Sequence, residues 1–376
     1  MPSIPDVITM TRELVGIPSE SSDPVGTDTN SAEKMVVAYL RQLCLAAGIE
    51  HCTREALPGR DNLLVRLPNP GAPKVLIVAH MDTVSARGMD EPFSGRMEDG
   101  RIMGRGSCDD KGPLAAGLSA LLALHGKKIV PAYDVTFAAS VDEECTMSGA
   151  ESLAREIDDF ALCIALEPTN LQIIRAHKGV YRCRIITRGL AAHSSHPEKG
   201  RNAVTSMVMI LNDIDSLRVR LARNKHPDLG RASLAVTTIK GGASVNAIPD
   251  YCEAVVDIRI LPDMFTDEVG KLVREYVDGR GEVEEIYTGD GISTSMENPL
   301  ILSLADSIVK EGCDPGPVTA SFATDCSRLH QKGPCIVWGP GDIHQAHQAV
   351  EYVLAEQLEQ AQRILTGFLT GGHFAE

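Results

Sequence analysis

Four short apolar runs in this chain each lead into an acid or an imidazole, and that pattern restricts the fold more than anything else in the sequence. Lys74–His80 (KVLIVAH) runs into His80-Met81-Asp82, and 135–141 (VTFAASV) runs into Asp142-Glu143-Glu144. Residues 160–166 (FALCIAL) run into Glu167-Pro168-Thr169, and 335–338 (CIVW) precede the turn Gly339-Pro340-Gly341 and then His347. Runs this short, rich in Val, Ile and Phe, read as buried strands. Strands that stop at such groups place them at the carboxyl edge of a sheet, where open α/β folds bind ligands. Asp109 lies in the Gly-rich loop 104–112 (GRGSCDDKG). His80, Asp109, Glu144, Glu167 and His347 together offer two imidazoles and three carboxylates. That donor set suits two borderline divalent cations, zinc first, with cobalt or manganese as alternatives.

The rest of the chain fits an enzyme of layered α/β class. Residues 6–48 read as helical around a polar turn at 19–30, with further strands at 62–67 and Lys74–His80 and a buried helix at 114–124 behind Pro113. From residue 179 the pattern changes to strand (179–187), helix (203–222), strands (233–239 and Tyr251–Ile260), helix (266–278) and strand (283–287). That βαββαβ order is the ferredoxin-like unit. It is expected to be an inserted domain over 178–291, with 1–177 and 292–376 forming one discontinuous domain closed by a helix at 349–368 and a frayed tail from 371. A net charge of −15 argues against nucleic acid or an anionic membrane as partner. No apolar run approaches the ~18 residues of a membrane span. The opening residues carry neither a basic leader nor an apolar stretch, so the expected compartment is the cytoplasm. The ten cysteines are scattered without a Cys-x-x-Cys pair and read as reduced thiols there, with Cys108 and Cys145 as packing residues rather than ligands.

Each motif has a chemical reading and a plainer one. In His80-x-Asp82 the carboxylate can accept the other ring N–H and set the tautomer of a metal-ligating imidazole; otherwise it is a strand-end His with a local hydrogen bond. Asp109 can bridge two cations through its two oxygens, or cap the helix that starts near Pro113. Asp142-Glu143-Glu144 offers adjacent carboxylates pointing different ways, so Glu144 can bind metal while Glu143 takes a proton from water; the alternative is a solvated acidic turn. Glu167 offers a second terminal carboxylate or ends a strand in a turn, and His347 completes a ligand shell or merely opens the last helix. In the inserted segment, His193, Asn246 and Arg259 are candidate substrate contacts, the Arg because it can grip a carboxylate with two parallel hydrogen bonds.

Taken in order, these motifs resemble the dinuclear zinc aminoacylase/carboxypeptidase family of metallopeptidases. The resemblance runs through His80-x-Asp82, Gly104-Arg105-Gly106 with Asp109-x-Lys111-Gly112, Asp142-Glu143-Glu144, Glu167-Pro168-Thr169, His193-Ser194-Ser195, Asn246-Ala247-Ile248-Pro249 and Ala346-His347. Within the family, the stretches 167–172 and 175–179 are most similar to acetylornithine deacetylases. The resemblance implies a zinc-peptidase-like mixed sheet flanked by helices, with 178–291 as a lid and homodimerisation domain. It implies Asp109 bridging two metals, His80 and Glu167 on one, Glu144 and His347 on the other. Glu143 is then general base and acid, with Asp82 behind His80. His193 stabilises the oxyanion in the partner's site, Asn246 and Arg259 hold the α-carboxylate, and the Asp109–Asp110 bond is cis. Leu166, Asp110 and Thr324-Asp325-Cys326 depart from the deacetylase pattern, where Gly, Met and Thr-Glu-Ala are usual.

The expected activity is hydrolysis of an N-acyl amino acid, N-acetylornithine foremost, through water attack on the acyl carbonyl. A succinyl-diaminopimelate desuccinylase, a dipeptidase or a general aminoacylase are alternatives inside the family. A two-metal phosphoesterase lacks support because no Lys/Arg cluster accompanies the ligands, and a structural zinc module would favour a closed Cys/His shell.

Overall fold

A computed structural model describes residues 4–21 and 33–371. Residues 22–30 of the expected polar turn and 372–376 of the expected frayed tail lie outside the described residues. The chain divides into two compact units, one of Met1–Arg175, Thr294–Val318 and Thr324–Glu376, the other of Ala176–Ser293 and Thr319–Ala323.

The first unit is built on a mixed sheet. Its strands run in the order Glu50–Leu57, Arg60–Leu67, Asp134–Ser140, Lys74–His80, Leu162–Ala165, Cys335–Val337 and Ile174–His177. Lys74–His80 is parallel to both Asp134–Ser140 and Leu162–Ala165, and Cys335–Val337 is parallel to Leu162–Ala165. These four parallel strands are the four apolar runs of the sequence, so the chain leaves all of them at the same edge. Their interiors are almost wholly buried. Strands covered on both faces read as continuous apolar runs rather than alternating ones.

The helix Lys111–Gly126 is apolar nearly all round and is buried on almost every residue from Lys111 to Leu124. A helix without a polar face belongs inside a core, and this one packs against Val7–Val15, Ala355–Leu369 and Lys74–His80. Its Leu114, Leu118 and Leu121 join Phe137, Ile77 and Trp338 in the main hydrophobic core.

The second unit is the ferredoxin-like insertion. Its four-stranded antiparallel sheet has the order Ser233–Gly241, Tyr251–Ile260, Gly179–Arg188, Glu282–Gly289. Helix Ala203–Leu221 buries Ala203, Met207, Ile210, Ile214, Leu217 and Leu221, a 3–4 spacing that defines one face. Asn202 caps it by accepting from the Thr205 amide at 3.0 Å.

The span 6–48 holds two helices, Val7–Val15 and Glu33–Ala47, as its pattern predicts. Two sequence expectations need correction. The last helix starts at Ala355, not 349, because Tyr352–Leu354 pairs as a strand with Arg101–Met103. The edge strand Glu50–Leu57 was not anticipated; its residues are exposed or half-buried throughout, so it shows no apolar run. No helix among the described residues is long and apolar enough to cross a membrane.

Gly112 shows how tightly the Gly-rich loop folds against the buried helix, since a Cβ there would lie 2.3 Å from the Ser107 carbonyl oxygen. Alanine is the better helix former by up to about 1 kcal/mol, whereas forced overpacking costs about 1–3 kcal/mol. Gly112→Ala is therefore expected to lower stability in urea unfolding; a gain in stability would show that the loop yields without cost.

Candidate dinuclear metal centre

The four parallel strands deliver their acids and imidazoles to one edge. His80 ends its strand and pairs in register with Ser140, two residues before Asp142-Glu143-Glu144. Glu167 follows Leu162–Ala165, and His347 follows Cys335–Val337 after a short 3-10 turn. Asp109 sits just before the buried helix, and the Asp109–Asp110 bond is cis. Two groups of donor atoms result, His80 with Asp109 and Glu167, and Asp109 with Glu144 and His347; within each the atoms lie within 4.8 Å of one another.

Asp109 belongs to both groups, and its two oxygens face different rings. Oδ1 is 3.0 Å from His80 Nε2, and Oδ2 is 3.6 Å from His347 Nε2. His347 Nε2 is also 3.2 Å from Glu144 Oε2. The ring Nδ1 of His80 lies 2.9 Å from the Asp82 carbonyl oxygen. A carbonyl can only accept, so Nδ1 carries a hydrogen, and Nε2 is the ring atom turned toward Asp109. A ring nitrogen and a carboxylate oxygen at 3.0 Å require a proton or a cation between them.

The electrostatics point the same way. Burial, followed by the charges of neighbouring acids, pushes the Glu143 and Glu167 carboxyls well above the usual range, and Glu144 upward as well. Burial alone would lower the His80 imidazole, but Asp109 and Asp82 hold it well above its ordinary value. Divalent cations relieve such crowding, and a mixed N/O donor set fits zinc. The residues present therefore fit two divalent ions.

The acidic turn is held from behind. Asp82 Oδ1 accepts from the Glu143 amide at 3.1 Å and Oδ2 from the Glu144 amide at 3.2 Å, with the Ser21 hydroxyl also on Oδ2. Its carboxylate stands 3.5 Å from His80 Nδ1, so it orients the Glu143-Glu144 backbone more directly than the ring. Arg60 donates to both Glu33 oxygens at 2.5 and 2.6 Å and to Asp142 at 2.7 Å. Asp325, buried beside this edge and pushed by burial to about 7, accepts from the Ser140 hydroxyl at 2.5 Å. Burial likewise brings the Lys111 ammonium down to about 7, with Nζ donating to the Ile17 carbonyl at 2.6 Å.

His193, Asn246 and Arg259 lie in the second unit. His193 pairs with Ala247, the residue after Asn246, in a two-stranded ribbon. Arg259 lies on a different sheet, where its Nε donates to Asp257 at 2.9 Å. Cys108 is buried, Cys145 half-buried, and the ten cysteines form no disulfide among the described residues. Sequence reasoning did not single out Arg60, Glu33 or Glu351. Glu351 Oε1 accepts from the amides of Cys108 and Asp109 at 3.0 and 3.1 Å. Its position four residues after His347 was the only local signal.

A sequence model of peptidase family M20/M25/M40 matches residues 76–371. The acetylornithine deacetylase of Aliivibrio fischeri is 31% identical over 94% of this chain and 95% of its own length. Among solved structures, an M20 family metallo-carboxypeptidase, Sso-CP2 of Sulfolobus solfataricus, superposes with a TM-score of 0.80 at 18% identity, covering 97% of this chain and 99% of that one. Aminopeptidase PepT of Bacillus cereus does so with a TM-score of 0.74 at 21% identity, over 98% of each chain; at these identities the likeness shows the fold alone. The chain belongs to peptidase family M20/M25/M40. It is a metal-dependent hydrolase of the amide bond of an acylated amino acid, with a dinuclear zinc-type centre.

Replacing Arg60 by Met strands two buried carboxylates, Glu33 and Asp142, and is expected to cost about 3–5 kcal/mol at neutral pH. Burial already raises Glu33 above its ordinary value. Without Arg60 the folded state binds protons more readily than the unfolded one, so the variant loses stability as pH rises and its deficit narrows on acidification. Urea unfolding at pH 7.5 and pH 5 measures both; an equal deficit at the two values would mean the carboxylates are not the cause.

Proposed function

We propose that this hydrolase deacetylates N-acetylornithine, releasing acetate and ornithine. The observation that carries the chemistry is the position of Glu143: it is buried among both donor groups yet belongs to neither. The ornithine side chain rests on the full-length likeness to the Aliivibrio fischeri deacetylase.

In this reading His80, Asp109 and Glu167 would hold one ion, and Asp109, Glu144 and His347 the other. Ions bound there would supply a more acidic water and a polarised acyl carbonyl. Glu143 takes the proton of that water as its oxygen attacks the acyl carbon. It then returns the proton to the amine nitrogen as the C–N bond breaks, so a single carboxyl serves as base and acid. Asp82 fixes the geometry of this step by anchoring the Glu143 and Glu144 amides.

His193 is the donor to the developing oxyanion in the partner subunit's site. Its Nδ1 accepts from the Ser195 amide at 3.2 Å, which leaves the hydrogen on Nε2. Asn246 and Arg259 hold the substrate's α-carboxylate, and Asp257 steadies the guanidinium at 2.9 Å. The segment 178–291 serves as lid and homodimer interface. The edge strand Ser233–Gly241 supports that role, since it closes its sheet on one side with Val236 and Ile239 exposed. The compartment in this reading is the cytoplasm and the pathway arginine biosynthesis.

Glu143→Gln should bind both ions as the parent does while kcat falls at least about 10²-fold; turnover near the parental rate would remove Glu143 from the mechanism. For the substrate, kcat/KM compared across N-acetylornithine, N-acetylcitrulline, N-succinyl-diaminopimelate and dipeptides should be highest for N-acetylornithine. A higher value for any other compound assigns the chain to that substrate.

A further inference from the structure

Arg105 and Glu351 form an ion pair that is almost wholly buried, 3% and 1% exposed, between segments 246 residues apart. Arg105 Nη1 donates to Glu351 Oε2 at 2.6 Å. The other oxygen, Oε1, receives the amides of Cys108 and Asp109 at 3.0 and 3.1 Å. The Glu351 carbonyl accepts from the Gly104 amide at 3.0 Å. Glu351 thus grips the Gly-rich loop at its start and at its middle. Arg105 Nη2 in turn donates to the carbonyls of Ser85 and Gln348, at 3.1 and 3.2 Å.

Gln348 follows His347, and here the pair gains a consequence for the metal centre. The His347 side chain is 55% exposed, whereas Glu144 and Asp109, its companions, are 8% and 9% exposed. His347 also sits at φ 62°, in the left-handed region that non-glycine residues seldom adopt. Its neighbours from Gln348 to Val350 are exposed. Packing therefore does little to fix this imidazole, and the hydrogen bond from Arg105 to the next carbonyl is a specific tether. His80 is in the opposite position, 2% exposed and set by its strand.

We propose that Arg105 and Glu351 are positioning residues that hold Asp109 and His347 at their mutual distance, so that the ion shared by Asp109, Glu144 and His347 depends on the pair far more than the ion on the His80 side. The inference rests on the two-ion reading above. Neither residue touches the reacting atoms; both act through the backbone of residues that do. Groups behind metal ligands commonly change affinity by about 10- to 100-fold when replaced.

The test uses the full-length holoenzyme loaded with zinc, with ions removed stepwise by chelators of graded affinity and counted by elemental analysis. Cobalt-loaded protein gives an absorption spectrum as a second readout. Arg105→Lys and Glu351→Gln should release one ion about 10- to 100-fold more readily than the parent, leave the other nearly unchanged, and lower kcat more than they raise KM. The double variant Arg105→Met/Glu351→Met removes both charges together and leaves neither unpaired. It should stay folded metal-free, with a melting temperature lowered by the lost backbone hydrogen bonds, and still lose the weaker ion selectively. The inference is overturned if both ions are held as in the parent while only the melting temperature falls, or if the two ions weaken equally. A parent that binds fewer than two ions overturns the reading beneath it instead.

Discussion

Glu143, Glu144, Glu167 and Asp109 are brought together at one sheet edge, largely out of water, where carboxylates repel one another strongly. The chain tolerates that arrangement because its basic groups support the backbone beneath the acids. Arg60 goes to Glu33 and Asp142, Arg105 to Glu351, and Lys111 to the Ile17 carbonyl. Each secures a turn that carries a ligand. The deficit of positive charge at the edge itself is what two divalent ions make good, and metal binding is expected to stabilise the fold as well as to supply the chemistry.

The sheet makes such crowding feasible. Parallel strands Lys74–His80, Asp134–Ser140, Leu162–Ala165 and Cys335–Val337 all end on one side, so no loop has to travel far to reach the centre. The burial of Lys111–Gly126 behind the loop bearing Asp109 gives that loop a rigid floor. Asp109, which meets two imidazoles with its two oxygens, is thereby fixed by a helix on one side and by Glu351 on the other.

What the sequence makes legible follows from this physics. Lys74–His80 and Tyr251–Ile260 can be read to the residue because both are bounded apolar patterns, one continuous and one alternating. His80, Asp109, Glu144, Glu167 and His347, which the fold brings together, stand out as candidates because each follows a strand or lies in a glycine-rich loop. Glu50–Leu57 cannot, since an exposed edge strand needs no apolar run. Tyr352–Leu354 is hidden by the strongly helical residues after it. The pairing of Glu351 with Arg105 is hidden for another reason: Arg105 shows only as part of a glycine-rich motif and Glu351 as an ordinary acid, and only folding across 246 positions makes them a pair. Asp82 shows a finer limit, because its carboxylate meets the Glu143 and Glu144 amides more closely than the ring of His80. A local His-x-Asp spacing cannot distinguish those partners.

Asp109 is the one ligand common to both donor groups. Crystals of the zinc-loaded protein, measured on both sides of the zinc absorption edge, should show two anomalous peaks about 3.5–4 Å apart, one beside each Asp109 oxygen. A single peak, or a pair of peaks with Asp109 touching only one of them, would contradict it.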